Sequence, residues 1–107
     1  GWGAGSGEAS SPLKALLHTY DKSKGLGAAN RGRHTDAEVD TLIQKALATV
    51  DSDARGKLLA AATEKAVGEN YGVIPLHYQV NTWAAKAGYK YLPRTDERTI
   101  VMGLSAN

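Results

Sequence analysis

The sequence predicts an α/β fold in which a helical hairpin is combined with short strands. Apolar residues recur at helical spacing across residues 39–50, which indicates one buried stripe along a helix. Asp51-Ser52-Asp53 interrupts that pattern and predicts the start of a second helix after a very short connection. Residues 73–80 place apolar side chains at alternate positions, which is typical of a strand.

The first third of the chain predicts a turn, a short helix and a loop. Residues 1–7 alternate glycine with other residues, which suits a strand end entering a tight turn. Ser10-Ser11-Pro12 predicts a helix start, because proline is tolerated in the first helical turn, and this helix should end near Thr19. Residues 20–33 contain several glycines and no periodicity, so we expect a loop there.

The helical hairpin is expected to span residues 35–71. Thr35 is the predicted N-cap of its first helix, with Glu38 three residues later completing a capping box. Asn70-Tyr71-Gly72 is a plausible end of the second helix. The residues expected in the hairpin interface are Val39, Leu42, Ile43, Leu47, Leu58, Leu59 and Ala62.

The strand expected at residues 73–80 should lie at the edge of a sheet. Ile74, Leu76, Tyr78 and Val80 would share one face of it. Pro75 has no N–H to donate to a neighbouring strand, which favours an edge position. Residues 99–104 could form a last short strand.

Composition excludes several classes of protein. With 42% hydrophobic and 22% charged residues, the chain is neither disordered nor a coiled coil. A formal net charge of +2 is too small a bias to indicate binding to nucleic acid or to an anionic membrane surface. The absence of cysteine excludes disulfides, thiolate metal sites and cysteine catalysis, and no apolar run approaches the length of a membrane span.

No catalytic or cofactor motif is complete. Residues 1–7 fail the spacing of a dinucleotide-binding loop, and His18, His34 and His77 stand far apart without a zinc-protease pattern. The alternating charges of residues 94–98 are interpreted as a surface ion-pair network rather than an acid–base pair. We therefore expect no enzyme activity, no cofactor and no metal. The basic cluster Arg31, Arg33 and His34 is interpreted as a solvated loop, with a phosphate-binding loop as the alternative.

Several short motifs follow one another in a particular order along nearly the whole chain. They are Gly1-Trp2-Gly3-Ala4 with Glu8, then Asn30-Arg31-Gly32-Arg33, then Glu38-Val39-Asp40, then Ile74-Pro75-Leu76 with Trp83, and finally residues 91–99, Tyr-Leu-Pro-Arg-Thr-Asp-Glu-Arg-Thr. This order resembles the C-terminal part of the oligopeptide, dipeptide and nickel class of solute-binding proteins, which serve ABC importers.

The resemblance implies a fragment of a two-lobed periplasmic-binding-protein fold of type II. Ligand is trapped in such proteins between lobes that close about a hinge. Residues 1–82 would be the C-terminal part of the second lobe, including a segment of the cleft. Residues 83–107 would return to the first lobe. The opening Gly1-Trp2-Gly3, without an initiator methionine, also predicts a fragment.

The resemblance also implies a set of ligand-binding residues. In peptide-binding members a Gly-Trp-x-Ala-Asp segment lines the cleft, its backbone contacts the ligand main chain, and its Asp pairs with the ligand amine. Trp2, Gly3 and Ala4 match this segment, whereas Gly5 stands at the Asp position. Glu8 is the alternative amine anchor. Packing between the lobes is the alternative role for Trp2.

The implied function is capture of a peptide or peptide-like solute, in the periplasm or otherwise outside the cytoplasm, for delivery to an ABC permease in the membrane. The alternatives are a small stand-alone protein-interaction domain and an enzyme fragment. Because its core is thin, the chain is expected to associate with a second copy through its tail or the strand at residues 73–80. The other possibility is a tail folded back on the hairpin.

Overall fold

The computed structural model describes residues 1–106, which divide into two units. The helical unit comprises Trp2–Leu76, and the tail unit is formed by Gly1 and the described residues from His77 onward. The helical unit holds three helices, and the tail unit holds a two-stranded antiparallel sheet. The described chain is thus a combination of helices and a small sheet, in agreement with the α/β class expected from the sequence.

Helix α1 begins at Ser10–Pro12 and continues as a π-helical turn at Leu13–Leu17. Pro12 lies in the first turn, as expected from the sequence, and the helix ends two residues before Thr19. The peptide N–H of His18 donates to the carbonyl of Leu13 at 3.0 Å, a bond across five residues that closes the π turn.

Helices α2 (Ala37–Ala48) and α3 (Ser52–Thr63) form the expected hairpin, and α3 continues as a π-helical segment at Glu64–Glu69. The connection between them is short because Asp51 caps α3 at once, accepting a hydrogen bond from the N–H of Ala54 at 2.8 Å. This confirms both the hairpin and the role of Asp51.

The core of the helical unit lies between α1 and the hairpin. Val39 and Ile43 on α2 are fully buried, and each such side chain stabilises the fold by about 1.5–3 kcal/mol. Ala62 and Ala66 are also fully buried, so small side chains allow α3 to lie close to its neighbours. The buried cluster consists of Leu13, Leu17, Val39, Ile43, Ala46, Leu59, Ala62 and Ala66.

The N-cap of α2 is Asp36, and the prediction of Thr35 was wrong by one residue. The Asp36 carboxylate accepts hydrogen bonds from the N–H groups of Glu38 at 2.8 Å and Val39 at 3.0 Å. The Thr35 hydroxyl instead bonds to the hydroxyl of Thr19 at 2.8 Å. Asp and Thr are both good capping residues, and the tertiary contact of Thr35 leaves the cap to Asp36.

Leu47 does not belong to the hairpin interface, which corrects a second expectation. Its side chain is 39% exposed, whereas Ala46 beside it is fully buried. Successive helical residues point about 100° apart, so the residue after a core-facing Ala46 turns away from the core. Val50 lies beyond the end of α2 and is 97% exposed. The apolar stripe therefore ends one turn earlier than the sequence suggested.

The second helix ends where the sequence predicted. Tyr71 adopts a left-handed backbone conformation with φ 50°, and the N–H of Gly72 donates to the carbonyl of Ala66 at 2.8 Å. A Cβ atom on Gly72 would lie only 2.7 Å from Cδ2 of Leu17 and 2.9 Å from Cδ2 of His34. A larger residue here would have to displace the side chains of Leu17 and His34, so the close approach of α1 and of the loop after it favours glycine.

Residues 73–80 form no strand, contrary to expectation. The side chains of Ile74, Leu76 and Val80 are exposed, and that of Tyr78 is 99% exposed. A strand is stabilised by hydrogen bonds to a neighbouring strand, and no described segment pairs with these residues. Alternation in the sequence was therefore not sufficient to produce a strand.

The strands that do form lie further along the tail unit. β1 (Tyr89–Tyr91) pairs antiparallel with β2 (Leu104–Ala106), with Tyr89 opposite Ala106 and Tyr91 opposite Leu104. A 3₁₀ turn at Val101–Gly103 precedes β2. The last strand expected at residues 99–104 was thus placed too early, because that stretch is mostly turn.

Candidate functional site

The glycine-rich segment that precedes α1 is open to solvent. Trp2 is 47% exposed, and Cβ atoms added to Gly3 or Gly5 would meet nothing within 4 Å. The N–H of Gly7, which has a φ of 75°, donates to the carbonyl of Ala4 at 2.9 Å and closes the expected turn. Within the described residues, no hydrogen bond reaches the peptide N–H of Gly3 or Gly5. The segment therefore offers free backbone groups on an accessible surface.

Glu8 fixes the end of this segment to the helical hairpin. Its carboxylate accepts hydrogen bonds from Nε of Arg55 at 2.9 Å, from Nη2 of the same guanidinium, and from the hydroxyl of Ser10. Nη1 of Arg55 donates to the carbonyl of Ala46 at 2.8 Å. One guanidinium on α3 thus joins the segment before α1 to the C-terminal end of α2.

The charges of this pair stabilise each other. Hydrogen bonds from Arg55, and then from Ser10, lower the pKa of Glu8 to about 2. The bond to Glu8 raises the pKa of Arg55 above its usual value. Both groups are ionised at neutral pH and their charges cancel. The Glu8 carboxylate, expected as an alternative amine anchor, is therefore already engaged by a cation.

An open groove of about 570 Å³ runs from this pair along α3. Its lining includes the apolar Leu59 and Ala60 and the acidic Glu8 and Glu64. The groove belongs to the helical unit and borders the glycine-rich segment through Glu8. Since Arg55 neutralises Glu8, Glu64 is the acidic lining residue that leaves a negative charge, and the largely apolar lining would accommodate an extended chain.

The histidines of the helical unit serve structural hydrogen bonds. Nδ1 of His18, which is 4% exposed, donates to the carbonyl of Thr19 at 2.7 Å, while its Nε2 accepts from the amide of Gln44 at 3.0 Å. Nδ1 of His34 donates to the carbonyl of Leu17 at 2.9 Å, and its buried Nε2 has no partner among the described residues. No group of three or more metal-ligating side chains occurs in residues 1–106.

The tail unit contains an aromatic cluster. The rings of Trp83 and Tyr91 lie 5.7 Å apart between centroids, and the indole N–H of Trp83 donates to the hydroxyl of Thr99 at 2.9 Å. The Tyr91 hydroxyl donates to the carbonyl of Arg98 and accepts from the N–H of Ile100. The cluster borders a mostly apolar cavity of about 280 Å³. These contacts hold the tail's loop against its small sheet.

The other candidates named from the sequence lie apart on the surface. In the tail unit, the exposed Arg94 and Asp96 form an ion pair, as the surface-network interpretation expected. His77 is exposed, and its Nδ1 donates to the carbonyl of Tyr78 at 2.8 Å. In the helical unit, Arg31 and Arg33 lie in an exposed loop.

Arg55 was not singled out from the sequence, and the structural role of Asn30 was not predicted. Arg55 joins Glu8 to α2, and Asn30, which is 4% exposed, bonds to the backbone of both His18 and His34. A basic residue in the first turn of a helix, where the helix dipole disfavours it, was the available signal for Arg55.

Comparisons of the sequence with protein-family models and with curated proteins, and of the structure with solved structures, gave no match. No helix in residues 1–106 has the length and apolar character needed to cross a membrane.

Proposed function

We propose that the chain is part of a solute-binding protein that captures peptides or peptide-like solutes for an ABC importer. The observation that carries this proposal is the order of the motifs from Trp2 to Thr99, which resembles the C-terminal part of that class. The open glycine-rich segment supports it, because free peptide groups on an accessible surface can bind a ligand main chain without reading its side chains.

The parent protein would be two-lobed, and the ligand would lie between its lobes. Residues 1–82 would belong to the second lobe and residues 83–107 would return to the first. Closure of the lobes would exclude water and present a docking surface to the membrane permease, outside the cytoplasm. The role is capture rather than chemistry, so the proposal includes no enzyme activity and no cofactor.

The residues proposed to contact the ligand are Trp2, Gly3, Ala4, Gly5 and Glu8. Gly5 offers no carboxylate for a ligand amine, and Arg55 already neutralises Glu8. A terminal amine would therefore gain little from a charged partner in this segment. We expect ligands to be held mainly by their main-chain groups and by contact with Trp2.

The test uses the full-length parent and a Gly5→Asp variant. Calorimetry compares a tripeptide with its N-acetylated form. We expect the unmodified protein to bind both similarly, whereas Gly5→Asp should favour the free amine by about tenfold or more, the effect of one charge-assisted hydrogen bond. Space at Gly5 is open, so the new side chain fits. Gly68→Asp, at another open glycine, is the matched control and should show no amine preference.

Two further results would contradict the proposal. The chain alone holds only one side of the proposed cleft, so micromolar binding of a peptide by it would contradict the two-lobed mechanism. The parent gene should also encode several hundred residues upstream, beginning with a signal peptide. A short reading frame would instead favour the stand-alone interaction domain, which the exposed apolar side chains of residues 74–80 would suit.

A further inference from the structure

The loop between α1 and α2 concentrates the positive charge of the helical unit. Residues 18–33 include four basic residues and one acidic residue, whereas residues 34–70 include four basic and seven acidic residues. The exposed basic residues of the loop are Lys22, Lys24, Arg31 and Arg33, which we call the cationic loop. Positive charge is thus concentrated in the segment between α1 and α2, and negative charge in the hairpin segment.

Most of this charge is not neutralised within the chain. Lys24 lies 3.8 Å from the carboxylate of Asp21, a weak pair at the surface. Lys22, Arg31 and Arg33 form no ion pair with any described residue. The side-chain N–H groups of Arg31 and Arg33 also lack hydrogen-bond acceptors within residues 1–106. These donors are therefore available to an external acceptor.

The backbone of the loop is held firmly in place. The buried Asn30 side chain donates to the carbonyls of His18 at 3.0 Å and His34 at 2.7 Å, and accepts from the N–H of His34. The N–H of Gly27 donates to the carbonyl of Lys14, and a Cβ on Gly27 would lie 2.4 Å from the carbonyl oxygen of His18. The basic side chains are thus displayed from a fixed frame, which reduces the entropy lost on binding.

Arg33 is further organised by an aromatic ring. Its guanidinium carbon lies 4.5 Å from the centroid of the exposed Tyr20 ring. Its backbone adopts the left-handed conformation with φ 56°, which is uncommon for a residue with a side chain. A guanidinium over a ring face keeps its N–H donors, which can bind a carboxylate through two parallel hydrogen bonds.

We infer that the cationic loop is a docking surface for an acidic face of another protein. Arginine and tyrosine are the residue types that most often carry the binding energy of protein interfaces, and the planar guanidinium suits carboxylates. A lipid surface fits less well, because Leu26 is buried and the exposed Tyr20 ring lies beneath the Arg33 guanidinium rather than free to insert. This inference goes beyond ligand capture and does not depend on it.

The test measures binding of the chain to a fluorescent decapeptide of alternating glutamate and glycine, by anisotropy and by ¹⁵N chemical shifts. We expect saturable binding with shifts confined to residues 20–33. The double variant Arg31→Gln/Arg33→Gln should lose about tenfold or more in affinity. Lys45→Gln/Lys57→Gln removes two exposed basic residues from the hairpin, changes the net charge equally, and should bind as the unmodified chain does.

A Tyr20→Leu variant separates stacking from charge. Because this variant keeps every charge, a severalfold loss of affinity would support the role of the Tyr20 ring in positioning Arg33 for binding. Unchanged binding would contradict that role. Equal losses in the two double variants, or shifts spread over the hairpin, would reduce the effect to bulk charge and overturn the inference. Binding to phosphatidylglycerol vesicles without binding to the peptide would overturn it in favour of a lipid surface.

Discussion

The Glu8–Arg55 pair gives the glycine-rich segment its position relative to the hairpin. We expect Glu8→Gln to lower the Tm by a few degrees at pH 7 and to increase hydrogen exchange in residues 2–9. The amide would weaken the bonds to Arg55 and leave that guanidinium without a charged partner. Glu64→Gln is the control, since Glu64 is exposed and forms no ion pair within the described residues; it should change the Tm little.

The same pair makes a defined contribution to the pH dependence of stability. The pKa of Glu8 is lowered to about 2 in the folded protein, against about 4.3 in an unfolded chain. The stabilisation is therefore complete above the unfolded value and lost as the pH falls toward the folded one. The difference in Tm between the unmodified protein and Glu8→Gln should shrink from pH 5 to pH 2. A constant difference would contradict this.

At the scale of the elements, Thr35 and Asp36 are adjacent candidates for the N-cap of α2, and mutation can distinguish them. We expect Asp36→Ala to lower the Tm by about 4–8 °C, the usual consequence of losing one N-cap in a chain of this size. Asp36 also accepts a hydrogen bond from Asn70 at 2.8 Å, so it joins both ends of the hairpin. Thr35→Ala should cost less, and thermal unfolding followed by circular dichroism measures both. The reverse order would support the Thr35 cap.

Two residues of α2, the buried Ile43 and the partly exposed Leu47, allow the cost of truncating a side chain to be compared within one helix. Ile43→Ala should destabilise the chain by about 2–5 kcal/mol, because it leaves a cavity at a fully buried position. Leu47→Ala, at a position 39% exposed, should cost less than half as much. Urea unfolding of the two variants provides the measurement. Similar costs would mean that Leu47 is buried in solution.

The hairpin could be predicted because its signals are local. The spacing of Val39 and Ile43 and the capping residue Asp51 act within a few residues of sequence. The error at Thr35 arose because its hydroxyl bonds to Thr19, a contact distant in sequence. The error at Leu47 arose because the buried stripe ends at Ala46, before the last apolar residues of the pattern. The hydrogen bonds between Glu8 and Arg55 also depend on a contact distant in sequence, since the two residues lie 47 positions apart. The glycine-rich segment could thus be predicted from the sequence, whereas its attachment to the hairpin through Arg55 could not.

At the scale of the whole molecule, the failure at residues 73–80 has the same origin. Alternation shows which side chains a strand would bury, but the strand forms only when a neighbour supplies hydrogen bonds. Pro75 further reduces the donors available. The described residues supply no such neighbour, and residues 73–80 are exposed at every position rather than at alternate ones. In the proposed two-lobed parent, that neighbour would come from the rest of the protein.

Residues 73–80 should therefore mediate association between copies of this chain. Exposed apolar side chains on an unpaired segment favour contact with a second copy, which can also provide the missing backbone bonds. Size-exclusion chromatography with light scattering should show a dimer or larger species that dissociates on dilution. Leu76→Ser/Tyr78→Ser should yield a monomer, whereas Val101→Ser/Met102→Ser, equally exposed, should not. A monomer at every concentration would contradict the prediction, and dissociation by the second pair alone would assign the contact to the tail.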